Sequence, residues 1–236
     1  MSRAFLSLFA LVAATLAGCG SSHVAGAPHT PQPARVQPVD LAPAVSRSTD
    51  QRVAKAGLLR LSDLPSGWAT DDSASSNSSG ADCGAIKDYK RTASALRTAP
   101  TMERNGWDQI QEKVAVFADG VRAEHAFAAV TSASTRACIR KFMAQTGTVG
   151  QSGQLNVDRV ADGTAASRIT VHVESGGTQV DLTVDLVVVR AGHAIALLVF
   201  TSAFGPFDQH LRSAVTRAAG CRLQHAQKLA CGAYMG

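Results

Sequence analysis

Between residues 168 and 203 the chain alternates apolar and polar positions with a period of two, and then stops alternating. Ile169, Val171 and Val173 are separated by Thr170 and His172, and Val180, Leu182 and Val184 by Asp181 and Thr183. This is the pattern of strands buried on one face. Gly176-Gly177 predicts a two-residue hairpin turn between them. Pairing about that turn sets Val173 opposite Val180, Val171 opposite Leu182 and Ile169 opposite Val184. The other face then pairs His172 with Asp181, Thr170 with Thr183 and Arg168 with Asp185. Ala191-Gly192 predicts a second turn, placing Leu186 opposite Leu197 and Val184 opposite Val199. The strand after it, 193–203, is apolar on both faces through Leu198 and Phe200, so it is predicted to be central and covered on both sides. Residues 109–117, with Ile110, Val114 and Val116, predict a further strand, and so do residues 154–160.

Elsewhere the period lengthens. Asp119-Gly120 opens a predicted long helix over 120–145, on which Ala123, Phe127, Val130, Ala137 and Cys138 share one face and Phe142 lies at its edge. Gly147 ends the pattern, and Arg122, Arg136, Arg140 and Lys141 belong to the solvated side. Leu211, Val215 and Ala218 predict an amphipathic helix over 206–219, and residues 54–61 a short helix or turn. Together these elements predict an α+β fold: an antiparallel sheet with a long central helix and a C-terminal helix packed on it, the helices largely on one face.

The first residues read differently. Arg3 precedes an apolar run from Phe5 to Leu16, then the small residues Ala17 and Gly18, which is the layout of an export signal. Leu16-Ala17-Gly18-Cys19 resembles the lipobox of bacterial lipoproteins. That resemblance implies cleavage before Cys19, acylation of its thiol, and anchorage at the extracytoplasmic face of the cell membrane, because two or more acyl chains hold a protein there. Residues 20–52 carry Pro28, Pro31, Pro33, Pro38 and Pro43 with no apolar period. They have too little apolar surface to offset the entropy of ordering them, so a tether is expected. The predicted organisation is a signal over 1–18, acylated Cys19 and tether over 19–53, a folded domain over 54–222 and a tail over 223–236.

Four further cysteines remain: Cys83, Cys138, Cys221 and Cys231. An even number in an exported chain predicts two disulfides. Three pairings are possible. Cys83–Cys138 with Cys221–Cys231 is favoured, since the first clips a Ser-rich loop (71–82) to the long helix and the second staples the tail to the last helix. In the chain-entropy model these loops contribute roughly 4 and roughly 3 kcal/mol. No CxxC is present, so no metal is expected.

Composition narrows the function. Of 236 residues, 45% are apolar and 17% charged, enough for one core and too little charge for a disordered chain. The net charge of +5 is dispersed and aromatics are 5%, which argues against a nucleic-acid partner. GxSxG, HExxH, Walker A and GxGxxG patterns are all missing, and no Ser, Thr or Cys is marked as a nucleophile. His172 with Asp181 is the one predicted His–carboxylate neighbour. It suits acid–base work or polar-ligand binding, although cross-strand pairs commonly just support a sheet. The candidate binding residues are Arg168, His172, Asp181 and Asp185 on the polar face, with Trp68 and Trp107, which follow turns and so could flank a pocket.

Leu58-Leu59 followed by Asp63-Leu64-Pro65-x-Gly67-Trp68 resembles the opening of a family of exported actinobacterial sensor-like domains, typified by the extracellular domain of the mycobacterial kinase PknH. The order cysteine, strand, cysteine-bearing helix, three-stranded meander and final helix resembles it too, over about residues 54–222. The layout is also similar to Mog1/PsbP-like lipoprotein families. The resemblance implies a disulfide-bonded domain with a groove for a small ligand. The expectation is therefore a monomeric, non-enzymatic lipoprotein without cofactor, binding a small molecule or an envelope protein.

Overall fold

A computed structural model describes residues 44–71, 83–175 and 177–231. The export signal, Cys19, the tether up to residue 43, the Ser-rich loop over 72–82 and the last five residues lie outside the described residues. The chain forms helix α1 (Ala44–Ala56), a 3-10 turn (Leu61–Asp63), β1 (Ala69–Asp71), α2 (Gly84–Thr92), β2 (Ala95–Thr98), β3 (Thr101–Arg104) and β4 (Asp108–Val116). It continues through α3 (Gly120–Val130), α4 (Ala133–Met143), β5 (Thr148–Leu155), β6 (Gly163–Ser175), β7 (Thr178–Ala191), β8 (Ala194–Ala203) and α5 (Gln209–Ala226).

The strands form one antiparallel sheet in the order β1-β3-β4-β8-β7-β6-β5. The outer edge of β4 is shared: Asp108 to Ile110 pair with β3 and Lys113 to Val116 with β2. The β6–β7 hairpin has the predicted register throughout, including Arg168 opposite Asp185 and His172 opposite Asp181. The second hairpin differs. Its turn is Gly192-His193, closed by Ala191 opposite Ala194, with Gly192 at φ 53°. Leu186 therefore meets Val199 and Val184 meets Thr201. A slip of two keeps every side chain on its predicted face.

Helices cover both faces of the sheet, not largely one. On one face Val114, Val116, Val187, Val189, Ala196, Leu198 and Phe200 form a core with Val53 and Ala54 of α1 and Val215, Ala219 and Leu223 of α5. On the other, Ala115, Phe117, Val188 and Ile195 pack with Tyr89 of α2 and Ala123 and Val130 of α3. The cause is that β4 and β7, like β8, are apolar at consecutive positions, as in Val187-Val188-Val189, and such strands need cover on both sides.

The long helix is two helices. Thr131 closes α3, its Oγ1 donating to the Phe127 carbonyl at 2.8 Å, and Ser132 caps α4, its Oγ accepting from the Thr135 N–H at 3.2 Å. Serine is a strong N-cap and competes with helix continuation. The break rotates the stripe: Thr135 is buried and Ala137 exposed. Residues 44–53, expected in the tether, are helical, because Val53 and Ala54 anchor an otherwise polar helix against the core. At the other end α5 runs past residue 222, with Leu223 and Gln224 buried. Gln227 then holds the β7–β8 turn, donating to the Ala191 carbonyl at 2.8 Å and accepting from the His193 N–H at 3.1 Å. The strand expected over 154–160 lies earlier, over Thr148–Leu155. The favoured disulfides are both present, Cys83–Cys138 with Cα atoms 5.9 Å apart and Cys221–Cys231 at 4.9 Å.

Candidate functional site

On the face covered by α1 and α5, the apolar core gives way to a polar strip at the end of the sheet where β4 begins. Arg104, Asp108, Ser202, Thr183 and Thr170 are successive neighbours across β3, β4, β8, β7 and β6. One row inward lie Ile110, Phe200, Asp185 and Arg168; one row outward on β7 and β6 lie Asp181 and His172. The strip exists because alternation in β6 and β7 switches its inward residues from Val187 and Ala166 to Asp185 and Arg168.

Asp185 is fully buried. Arg168 grips it with both arms of its fork, Nε to Oδ1 at 2.6 Å and Nη2 to Oδ2 at 2.7 Å. Arg212, itself buried in the first turn of α5, donates from Nη1 to Oδ2 at 2.7 Å. The hydrogen bond to Asp185 holds the Arg168 guanidinium above its ordinary value, against the opposing effect of burial. So the predicted Arg168–Asp185 pair exists, but it is roofed by a helix rather than solvated. The third member was missed. Arg212 follows Leu211 and precedes Val215, and the inward face of α5 is wide enough to include it. The signal available in sequence was an Arg four residues after the Asp208 cap, on the helix that must lie over the sheet.

His172 and Asp181 meet as predicted, Nδ1 to Oδ1 at 2.6 Å. The other ring nitrogen has little room: a Cβ built on Gly150 of β5 would stand 2.5 Å from His172 Nε2. Arg104 pairs with Asp108 at 2.8 Å, and Ser202 Oγ donates to the other Asp108 oxygen at 2.8 Å.

The two tryptophans part company. Trp68 is buried, tilted against Phe207 with centroids 6.1 Å apart and with the Arg104 guanidinium 5.1 Å from its ring centre. It roofs the core. Trp107 is 44% exposed and lies edge-to-face with Phe204, 64% exposed, at 5.4 Å and 78°. Sequence reasoning did not single out Phe204. Its signal was Phe204-Gly205-Pro206, an aromatic held between a strand end and a proline turn.

A second group escaped the sequence reading. Glu112 of β4 is fully buried among apolar neighbours; its Oε2 accepts from the Leu59 N–H at 2.6 Å and its Oε1 has no hydrogen-bond partner. Burial pushes its carboxyl up to about 8, with the Leu59 hydrogen bond and the Arg222 charge pulling the other way. Nearby, Asp63 accepts a fork from Arg222, with Nη2 to Oδ1 at 2.7 Å. Burial raises the Asp63 carboxyl, but Arg222 and the Arg60 N–H outweigh it and hold it below its ordinary range.

Among the described residues no group of three or more His, Cys, Asp or Glu is placed to hold a metal ion. A shallow hollow of about 270 Å³ lies between α4 and β5, lined by Ala137, Arg140, Lys141, Ala144 and Val149, none of them a candidate from the sequence.

No protein-family model matches the chain, and no curated protein matches it. In structure it is similar to the extracellular domain of PknH from Mycobacterium tuberculosis, at 10% identity and a TM-score of 0.43, over 75% of this chain and 96% of that one. A Pseudomonas aeruginosa protein of unknown function aligns over 46% of this chain and 68% of its own length, at 13% identity and a TM-score of 0.24. The two disulfides point to an oxidising, extracytoplasmic compartment, where such bonds form and persist.

Proposed function

We propose that the chain is a membrane-anchored extracytoplasmic lipoprotein whose domain binds a small ligand without catalysing a reaction. The observation that carries the binding reading is the Trp107–Phe204 pair, two large aromatics exposed side by side where the polar strip of the sheet ends. Exposed apolar groups rimmed by polar ones mark interaction sites. The anchor is supported by the signal pattern before Cys19 and by the disulfides. A hydrolase acting through His172 is the weaker reading: Nδ1 is engaged by Asp181, and Nε2 faces Gly150 rather than open space.

The anchor is tested by the intact mass of protein extracted from membranes. The expected species begins at Cys19 and carries two or more acyl chains, and Cys19→Ala is expected to release the protein from the membrane fraction. A membrane-free wild type with an unmodified Cys19 would reject the anchor. Native mass spectrometry of the domain then shows whether a small molecule or an envelope protein travels with it.

A further inference from the structure

Strand β5 (Thr148–Leu155) is an edge of the sheet. It pairs with β6 on one side, and among the described residues no strand pairs on the other. That open side presents a row of backbone N–H and C=O groups. Natural proteins usually blunt such an edge with lysine, an inward charge or proline. Residues 148–155 read TVGQSGQL, with no charge and no proline. Gln151, Ser152 and Gln154 are exposed. A bulge between Val149 and Ser152 bends the strand once and leaves residues 152–155 in regular register.

Helix α4 packs on β5 and β6, on the face opposite α1 and α5, and is tied to the start of α2 by Cys83–Cys138. Ala137, Arg140, Lys141 and Ala144 follow the i, i+3, i+4, i+7 spacing of one helix stripe. With Val149 of β5 they line the hollow of about 270 Å³. Two alanines on that stripe leave the gap between helix and strand unfilled. Arg140 and Lys141 are exposed, and neither pairs with a carboxylate among the described residues.

A strand added to β5 would lie about 4.8 Å out from it and send alternate side chains toward α4. There they would meet small apolar groups and two cations. An acidic residue with a small apolar one two positions away fits both. A second copy of the chain does not. Pairing β5 with β5 about a two-fold axis brings the Arg140 and Lys141 of both copies to one seam, and β5 supplies no acid to meet them. A free anion would satisfy the cations but leave the backbone row unmet.

We infer that β5 and α4 form a docking groove for an extended acidic segment of a partner protein. The segment adds one more strand to the sheet through main-chain hydrogen bonds and sets its carboxylates against Arg140 and Lys141. This goes beyond the small-ligand reading and does not rest on it, because the groove lies on the other face of the sheet from the polar strip.

The test is a titration of the folded domain, followed by amide NMR, with a peptide capped at both ends, Thr-Glu-Thr-Val-Thr-Glu-Thr. The expected result is a saturable shift confined to β5 and α4. Changing both glutamates to glutamine should weaken binding about fivefold, and high salt should act the same way. The double variant Arg140→Glu with Lys141→Glu lies on exposed helix positions and should reverse the preference, taking a lysine form of the peptide in place of the glutamate form. A strand that joins an edge turns the N–H groups of alternate residues toward it. Methylating the backbone nitrogens of the two glutamates and the valine, or those of the inner threonines, should therefore abolish binding in one set and spare it in the other. Shifts that ignore both the charge reversal and the methylation set would overturn the groove, and so would unmoved β5 amides at millimolar peptide. A domain that sediments as a dimer, with its β5 amides protected from exchange, would assign the edge to a second copy and overturn the acidic partner.

Discussion

Asp185→Ala is expected to lower the stability of the domain by about 3–5 kcal/mol, the usual result of leaving a buried ion without its counter-charge. For a domain of this size that is a fall in Tm of roughly 10 °C or more. The carboxylate is enclosed by β7, β6 and α5 and neutralises Arg212, which is itself buried, and Arg168, which is mostly covered. Without it two guanidinium groups share a space with no anion, and the Nε of Arg212 already lacks a partner. The loss is therefore larger than three hydrogen bonds would suggest. A triple replacement, Arg168→Met with Asp185→Leu and Arg212→Leu, removes all three charges together and should cost far less, or even stabilise. Chemical unfolding of the wild type, the single variant and the triple variant separates these outcomes. A single-variant loss under about 1 kcal/mol would mean that water reaches the cluster and screens it, as at surface pairs.

That cluster also shows where sequence reasoning reaches and where it stops. The Arg168–Asp185 and His172–Asp181 pairs were legible because period-two alternation and one Gly-Gly turn fix both register and face. The slip in the next hairpin cost nothing for the same reason. What covers a polar face is another matter. Asp185 looked like a solvated residue because nothing along β7 says that α5 will cross above it. Helix α1 was hidden because only Val53 and Ala54 pay for its docking, and the break at Ser132 because an apolar stripe runs through it. Phe204 was missed because Phe204-Gly205-Pro206 marks where the last strand ends without saying that the ring stays exposed. Glu112 was missed although it stands at an inward position of β4 between Ile110 and Val114, because nothing along the strand says that a carboxyl there is sealed.

For Glu112 the expected result is a stability that falls as pH rises. Its carboxyl stands at about 8 in the folded protein against an ordinary 4.5. Below pH 4.5 both states hold the proton. Between 4.5 and 8 the unfolded chain releases it while the folded chain keeps it, so the unfolded state gains and stability declines; above about 8 both are ionised and the curve flattens. At about 1.4 kcal/mol per pH unit the decline attributable to this one group is on the order of 4 kcal/mol. The neighbouring charges act elsewhere on the scale. Asp63, held low by Arg222, contributes stability that is lost only as the pH falls through the acid range, and burial keeps the Tyr89 phenol protonated well above this window. Glu112→Gln keeps an oxygen for the Leu59 N–H and removes the titration. The variant should match the wild type near pH 4.5, then exceed it progressively, by roughly 10 °C in Tm at pH 8. The difference between the two stability curves cancels every other titrating group. A difference that stays flat from pH 4.5 to 8 would show that Glu112 is ionised in the folded protein, and hence that its orphan oxygen is reached by water or by a cation.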